Sequence, residues 1–471
     1  MSPALAPADW GLRTDDRGRL LIGDVPAVDL AREFGTPLHV VDEPRLEATA
    51  RDFRKSMEDA CAGRASVHFA FKCNSVPAVV DAVRRGGLGA EIMSGFELEL
   101  ALRRGFPPEA VVANGPGKSA EFLASCLDAG VRFISADSLE ELALLDRIAE
   151  ERGTAAPVLL RINPDYVPGG MNQGTATGSR RGCAFGLDLK GGEPREAFAR
   201  LRASRSLRFR GFHMHIGTGI RDPREYGRAL NRLAPLVRAA RAAGLPAEVM
   251  DVGGGYASRT TRELTTREFL AYQGLGILPS FAPGPGPAFV DYGREIAAAV
   301  SRIFAGGPPP EVLFEPGRAI ASPNQVLLLS VLHVKTRPRV RTWIVTDGGL
   351  GTVSLPTFYE YHEVFLADDV TRPRTGRATI IGPVCFASDI VYRNKPMPAV
   401  RGGETLAIMD SGAYFTAQES SFGFPRPAVV CVAGTSVRLV RRRETYADMT
   451  GRDEATGRYI SQEENHEIRA D

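Results

Sequence analysis

The sequence is poor in lysine, has no paired cysteines and contains no long apolar run. Only six lysines occur beside fifty-two arginines. The six cysteines are scattered without a C-x-x-C pair, which disfavours a zinc site and a dense disulfide framework. Isolated thiols are typical of a reducing cytoplasm, where we expect the protein to reside. Because no run of about eighteen apolar residues and no signal-like N-terminus occur, we expect neither a membrane span nor secretion.

The charge balance disfavours two further classes of partner. The net charge is +2 at pH 7, and 24% of the residues are charged. No strong field of one sign is available to bind nucleic acid or an anionic membrane surface. The chain is 44% apolar over 471 residues, so it can bury large cores. This length predicts two or three domains.

Short apolar strands alternate with amphipathic helices along residues 36–320, beginning with the strand TPLHVV. About eight such units end at VLFEPG, which favours a closed (β/α)8 barrel of the TIM type over an open sheet. From residue 321 to residue 446, strands follow one another without long helices, which predicts a C-terminal β-sandwich or small β-barrel domain. Residues 1–35 are expected to join this β domain, and residues 447–471 to form a polar tail.

The stretch HFAFKCNS places one of the few lysines, Lys72, inside an apolar run. A primary amine can lose its proton when it is desolvated and can then form a Schiff base, whereas a guanidinium cannot. The alternative is that Lys72 is an ordinary cation at the end of a strand. This stretch alone leaves both interpretations open.

Three more motifs fall at predicted strand ends on the same face of the barrel. They are HMHIGTG with His215 and Thr218, DVGGGY with its three glycines, and EPGR with Glu315 and Arg318. Taken singly, the glycines predict a plain turn, the histidine a structural residue and EPGR a capped turn with a salt bridge. Taken together with Lys72, they describe an amine, an anion cradle, a flat imidazole and a carboxylate. That combination is typical of a pocket for pyridoxal 5'-phosphate (PLP).

The motifs FKCN, HMHIGTG, DVGGGY, EPGR, GPVCFASD and DSGAY resemble those of the PLP-dependent decarboxylases of the alanine-racemase-like fold. Diaminopimelate and ornithine decarboxylases belong to that family, and the resemblance runs from about Gly35 to Asp448. It implies that Lys72 is the Schiff-base lysine, that His215 stacks on the ring and that Glu315 pairs with the pyridine nitrogen. It also implies a set of phosphate-binding residues: Thr218, Gly253, Gly254, Gly255, Arg318 and Tyr414.

The resemblance further implies a head-to-tail homodimer with shared active sites. The partner subunit then supplies the GPVCFASD loop, in which Cys385 is the acid that protonates Cα after decarboxylation. Asp389 of this loop and Tyr359 are expected to bind substrate. The alternative for Cys385 is a buried free cysteine that serves as a small apolar residue.

Two positions depart from the family pattern where the distal end of the substrate is held. Phe386 stands where diaminopimelate decarboxylases have glutamate and ornithine decarboxylases have aspartate, and Leu355 replaces an arginine that grips a carboxylate. A phenyl ring does not compensate a buried ammonium, which costs several kcal/mol when stranded. These substitutions predict an amino-acid substrate with a neutral, acylated or bulky distal end, including conjugated and carrier-bound ones. Such substrates occur in specialised pathways of the siderophore or antibiotic type.

Several other functions stay open at this point. The chain can be a diaminopimelate decarboxylase, or an ornithine or lysine decarboxylase, that recognises its substrate through other residues. An amino-acid racemase and a non-catalytic PLP-binding protein are further alternatives, although retention of both Lys72 and Cys385 favours a decarboxylase. We expect no metal site, because the histidines lack cysteine or carboxylate partners at ligand spacing.

Overall fold

The computed structural model describes residues 5–169, 179–278, 286–354 and 356–453 of the chain. Eight strands pair in parallel, and the last of them, Glu311–Phe314, pairs with the first, Ala65–Ala70, so that the sheet closes. The predicted (β/α)8 barrel is confirmed. Its strands are Ala65–Ala70, Gly89–Ile92, Val111–Ala113, Phe133–Ala136, Ala156–Asn163, Leu207–His213, Val249–Asp251 and Glu311–Phe314.

Helices surround this barrel, and serines fix the start of three of them. Ser94, Ser119 and Ser138 each accept a hydrogen bond from the backbone N–H three residues further on, at 3.1–3.2 Å. Such caps satisfy donors that the first helical turn leaves free. Within the described ranges, no helix has the length and apolar character needed to cross a membrane. The longer helices are Ala27–Phe34, Glu43–Ala60, Pro77–Arg85, Gly95–Arg103, Ala120–Ala129, Leu139–Glu151, Glu193–Ala203, Arg224–Ala242, Thr266–Leu275 and Phe289–Ile303.

A second sheet of nine strands forms the predicted C-terminal β domain. Its strands are Leu38–Asp42, Gln325–Arg337, Arg341–Thr346, Val364–Leu366, Gly376–Ile381, Ile390–Met397, Thr405–Ile408, Ala428–Ala433 and Ser436–Arg441. The prediction that TPLHVV opens the barrel is wrong. Leu38–Asp42 pairs antiparallel with Gln325–Arg337 and parallel with Ala428–Ala433, so it belongs to the second sheet. The barrel therefore begins with the strand Ala65–Ala70 and not at residue 36.

The N-terminal segment packs with this second sheet. It forms a small sheet of its own from Arg13–Thr14, Leu20–Ile22 and Val25–Pro26. Trp10 is fully buried in the core of the β domain, and its indole N–H donates to Asp410 at 2.8 Å. The remaining domain boundaries stay predictions. Residues 454–471 of the predicted tail lie outside the described residues.

An apolar layer lies inside the barrel, and we call it the apolar floor. It is a cluster of five buried side chains from five strands: Val112, Phe133, Leu159, Val249 and Leu313. Side chains two residues apart on a strand share a face, so the next inward residue of each strand lies one level closer to the strand's carboxyl end. Those next residues are all polar, namely Asn114, Ser135, Arg161, Asp251 and Glu315. The alternation therefore sets a polar layer directly above the apolar floor.

Candidate active site

One cavity of about 530 Å³ opens at the carboxyl ends of the barrel strands. This is the end at which barrels of this type hold their reacting groups. Seven residues that the sequence predicts for the site line this cavity: Lys72, His215, Thr218, Glu315, Arg318, Tyr359 and Tyr414. The structure thus brings together side chains that lie far apart in the sequence.

Lys72 lies in a short 3-10 turn, Phe71–Cys73, directly after the first barrel strand. Its ammonium makes an ion pair with Glu91, which is buried at the end of the neighbouring strand. Burial lowers the pKa of Lys72, but the negative charges of Glu91 and Glu315 outweigh it, so the pKa is raised. The amine is therefore held as a cation until another positive group or a ligand changes the local charge.

Two histidines of HMHIGTG take different positions. His213 is buried, and its Nδ1 lies 2.8 Å from the hydroxyl oxygen of Ser135. His215 lines the cavity, and its Nδ1 accepts a hydrogen bond from the Gly254 N–H at 3.2 Å. Burial, followed by the charges of Arg161 and Lys72, lowers the pKa of His215 to about 3. The ring is therefore neutral at physiological pH, and it offers a flat uncharged surface for stacking.

The glycine turn of DVGGGY has no room for side chains. A Cβ on Gly253 would lie 2.7 Å from the carbonyl oxygen of Met214, and one on Gly255 would lie 2.3 Å from that of Gly217. Both glycines also have positive φ angles, +66° and +101°, which disfavour other residues. The Gly253 N–H donates to Asp251 at 2.8 Å, and the Gly254 N–H is engaged by His215. Phosphate binding by Gly253, Gly254 and Gly255 stays a prediction.

Glu315 lies at the centre of a buried polar cluster. It accepts a hydrogen bond from the Asn114 side chain, and its Oε2 lies 3.7 Å from Nε2 of His213. Burial and mutual repulsion raise the pKa of Glu315 well above its ordinary value, while burial raises that of Asp251 to about 7. The nearness of the two buried carboxyl groups therefore favours the protonated form of one of them. The cluster also includes His213: one nitrogen of this ring and one oxygen from each of Asp251 and Glu315 lie within 4.8 Å of one another. The spacing of these residues in the sequence did not predict this closeness.

Arg318 connects the cavity to the β domain. Its Nε donates to the Thr218 hydroxyl at 3.3 Å, and its guanidinium lies 5.1 Å from the ring centroid of Tyr414. Its Nη1 donates to Glu360 at 2.7 Å, and both side chains are buried. Tyr414 has a positive φ of +69°, and its N–H donates to the carbonyl of Cys73 at 2.9 Å. The Lys72 turn and the Tyr414 segment are thereby tied to each other.

The GPVCFASD loop lies away from this cavity in its own chain. Cys385 and Phe386 are exposed and do not line it. Asp389 is buried, and its carboxylate accepts from the backbone N–H of Leu350 at 2.6 Å and of Val384 at 2.7 Å. The Asp389 carboxylate therefore fixes the shape of the loop, and its predicted role in substrate binding stays a prediction. Leu355 lies outside the described residues.

Polar residues without a motif complete the cavity. Arg161 lines it and pairs with Asp137 at 3.0 Å. Lys118, fully buried, pairs with Glu141 at 2.8 Å and donates to the carbonyl of Gly115, which also lines the cavity. Sequence reasoning missed these residues, because each is a single polar residue outside the motifs. Arg161 carried one usable signal, since it lies two residues after the inward-facing Leu159 of the same strand.

The residues present fit PLP. A lysine amine opens into the cavity, a neutral imidazole forms one wall, and Arg318 with Thr218 offers donors to an anion. Nε2 of His213 and Oδ2 of Asp251 are buried and have no hydrogen-bond partner among the described residues, as expected where a polar ligand completes the site. The geometry defines a PLP-binding barrel.

Comparison with known proteins places the chain in a family. Residues 44–322 match the family model described as pyridoxal-dependent decarboxylase, pyridoxal binding domain, and the chain belongs to this family. It is therefore a PLP-dependent amino-acid decarboxylase, as the resemblance implied.

Three relatives show how far the similarity extends. The diaminopimelate decarboxylase of Zymomonas mobilis is 32% identical over 439 residues, which cover 93% of this chain and 97% of the relative. That of Actinosynnema pretiosum is 34% identical over 455 residues, 96% of each chain. The crystal structure of diaminopimelate decarboxylase from M. jannaschii superposes with a TM-score of 0.83 at 27% identity, covering 94% of this chain and 98% of that one.

Proposed function

We propose that the protein releases carbon dioxide from the α-carbon of diaminopimelate. What supports this substrate is the set of relatives that carry the name and align with 93–96% of the chain. This proposal reverses the preference that Phe386 and Leu355 suggested from the sequence alone. Glu263 lines the cavity together with Tyr359, so the cavity wall of the same chain carries a carboxylate that the distal ammonium could approach.

The described side chains suit the α-carboxylate chemistry. PLP, when bound, supplies a ring that takes up the electron pair left on Cα when carbon dioxide departs. Lys72 holds the cofactor through its amine, and neutral His215 supports one face of the ring. Glu315 and Asp251 hold a proton beside the ring nitrogen, and Arg318 with Tyr414 binds the phosphate. A Cys385 thiol returns a proton to Cα.

We propose a homodimer because of where Cys385 lies. Its side chain is exposed and outside its own cavity, so it reaches a reacting carbon only in another subunit. The Asp389 carboxylate, which receives two backbone N–H groups, keeps the loop that carries Cys385 in one shape. The same loop brings Phe386 into the partner's cavity.

A second candidate substrate is an amino acid with a neutral, acylated or bulky distal end. The observation that favours it is the aromatic pair of Phe386 and Phe422, whose ring centroids lie 6.1 Å apart in an edge-to-face arrangement. Both rings are about half exposed. An apolar pair at the distal end favours an apolar or conjugated group over an ammonium.

The test is carbon dioxide release by the PLP-loaded protein from a panel of amino acids. The panel holds meso-diaminopimelate, ornithine, lysine, and acylated and citrate-linked diamino acids. Glu263→Gln and Phe386→Glu are compared with the wild type, and Glu248→Gln serves as the control because Glu248 forms only an exposed pair with Arg210.

If diaminopimelate is the substrate, it is turned over fastest, and Glu263→Gln raises its KM while Glu248→Gln does not. Turnover restricted to acylated or citrate-linked compounds would establish the second candidate. In that case Phe386→Glu should lower activity on those compounds and raise it on diaminopimelate. Release of no carbon dioxide from any α-amino acid would contradict both.

A further inference from the structure

Arg161 is the best-fixed cation of the cavity that the proposed reaction does not use. It lies on the inward face of the strand Ala156–Asn163, near its carboxyl end, and its side chain is only 9% exposed. Its Nη1 donates to Asp137 at 3.0 Å, and its guanidinium lies 4.6 Å from the ring centroid of Phe185. The ion pair and the stacked ring hold the guanidinium in one orientation.

The partners of Arg161 leave part of its donor capacity unused. A guanidinium carries five N–H groups, and the carboxylate of Asp137 accepts a hydrogen bond from Nη1. Nε of Arg161 is buried without a hydrogen-bond partner among the described residues, although such groups are nearly always satisfied. The second carboxylate oxygen of Asp137, Oδ2, accepts a hydrogen bond from the Gly186 N–H at 3.1 Å. The Asp137 carboxylate therefore divides its hydrogen bonds between Arg161 and Gly186.

Arg161 lies in the part of the cavity where Lys72 and His215 are found. It lines the same cavity as Lys72, His213 and His215. Its charge is the second cause, after burial, of the lowered pKa of both histidines, as expected of a close neighbour. A cation beside the ring-stacking histidine faces the region that the cofactor ring and the α-carbon would occupy.

We propose that Arg161 is an oxyanion-binding residue of this site. Its guanidinium donates hydrogen bonds to an anionic oxygen that enters the cavity, which is either the phenolate oxygen of the cofactor ring or a carboxylate oxygen of the substrate. Both sources offer the same chemistry, a planar donor fork against a negative oxygen. If the oxygen belongs to a substrate carboxylate, the proposal rests on the proposed function. If it belongs to the cofactor ring, the proposal rests only on PLP binding.

The experiment compares Arg161→Gln with Arg132→Gln. Arg132 is a matched control, because it also pairs with a carboxylate, Glu311, at 2.7 Å and lies 5.1 Å from a phenyl ring centroid, that of Phe133. It directly precedes the strand Phe133–Ala136, at the opposite end of the barrel, and does not line the cavity. Three quantities are measured on each PLP-reconstituted protein: PLP affinity, the pH at which the visible absorption of the bound cofactor changes, and KM with kcat.

Each outcome separates the two sources. Weakening of PLP affinity by about tenfold or more, or a displaced pH transition of the absorption, identifies the cofactor oxygen. An unchanged spectrum with a KM raised by about tenfold or more identifies the substrate carboxylate. If Arg161→Gln matches Arg132→Gln in all three quantities, the proposal is wrong. If the wild-type protein binds PLP normally but releases carbon dioxide from no amino acid, the proposed function is wrong. PLP affinity and the pH transition of the absorption then still decide whether Arg161 binds the cofactor oxygen.

A second variant covers loss of folding in Arg161→Gln. The double variant Asp137→Asn with Arg161→Gln removes both charges of the pair, so no buried carboxylate is left unpaired. The same three quantities and the same criteria apply to it.

Discussion

Replacement of Glu360 by glutamine tests how strongly the barrel and the β domain are joined at the cavity. Glu360 pairs with Arg318 at 2.7 Å, and the two side chains are 1% and 6% exposed. Glu360→Gln removes the hydrogen-bonded carboxylate from the buried Arg318 charge. Breaking such a pair from one side costs about 3–5 kcal/mol of unfolding free energy.

The control variant, Glu311→Gln, removes an ion pair of the same length that is more exposed to solvent. Glu311 pairs with Arg132 at 2.7 Å as well, but its side chain and that of Arg132 are 28% and 29% exposed. Glu311→Gln should therefore cost only about 0–1 kcal/mol. Urea unfolding of the cofactor-free proteins, followed by tryptophan fluorescence, gives the comparison, because bound cofactor would add its own stabilisation. A loss in Glu360→Gln no larger than in Glu311→Gln would refute the reasoning.

The same pair predicts a pH dependence. Burial raises the pKa of Glu360, but the charge of Arg318 and the hydrogen bond with His362 outweigh it, so the folded pKa lies below the ordinary 4.5. A carboxyl group with a lowered pKa in the folded state stabilises the fold at pH values above its unfolded pKa. This stabilisation is lost as the pH falls through the folded pKa. The difference between the wild type and Glu360→Gln should be largest at neutral pH and shrink in acid. A difference that grows as the pH falls would contradict this.

Three further changes have defined outcomes. Lys72→Ala should abolish the visible absorption of covalently attached cofactor, and a band that survives would exclude Lys72 as its attachment point. Cys385→Ala should slow turnover by about 10²–10⁴-fold with PLP affinity unchanged, as expected for a lost general acid; unchanged turnover would remove it from the reaction. Leu313→Ala, at a fully buried residue of the apolar floor, should cost about 2–5 kcal/mol in urea unfolding, and a cost near zero would mean that the floor is loosely packed.

Repetition along the chain is what made the barrel and the cofactor end of the site predictable. Each βα unit carries its own apolar strand and amphipathic helix, and each cofactor motif follows a strand that the alternation already marks. The strand TPLHVV was misplaced because a buried parallel strand and a buried antiparallel strand have the same apolar composition. Only the pairing of Leu38–Asp42 with Gln325–Arg337, nearly 300 residues away, separates the two.

The polar partners of the motif residues could not be predicted. Asn114 meets Glu315, Arg161 meets Asp137, and Glu360 meets Arg318. These pairs join residues from different strands and domains, so no local spacing marks them. The distal end of the substrate was similarly out of reach, because in the proposed homodimer it depends on which side chains enter the cavity from the second subunit.

The apolar floor separates the polar layer of the barrel from the amino-terminal ends of its strands. Directly beneath Asp251 and Glu315 lie the side chains of Val249 and Leu313, which offer no donor or acceptor to a proton. The described cavity opens at the carboxyl ends of the strands, so substrate and product share that mouth. The order of arrival and departure at this entrance is therefore set by whatever covers it. A change in a covering loop should alter product release before it alters the bond-breaking step.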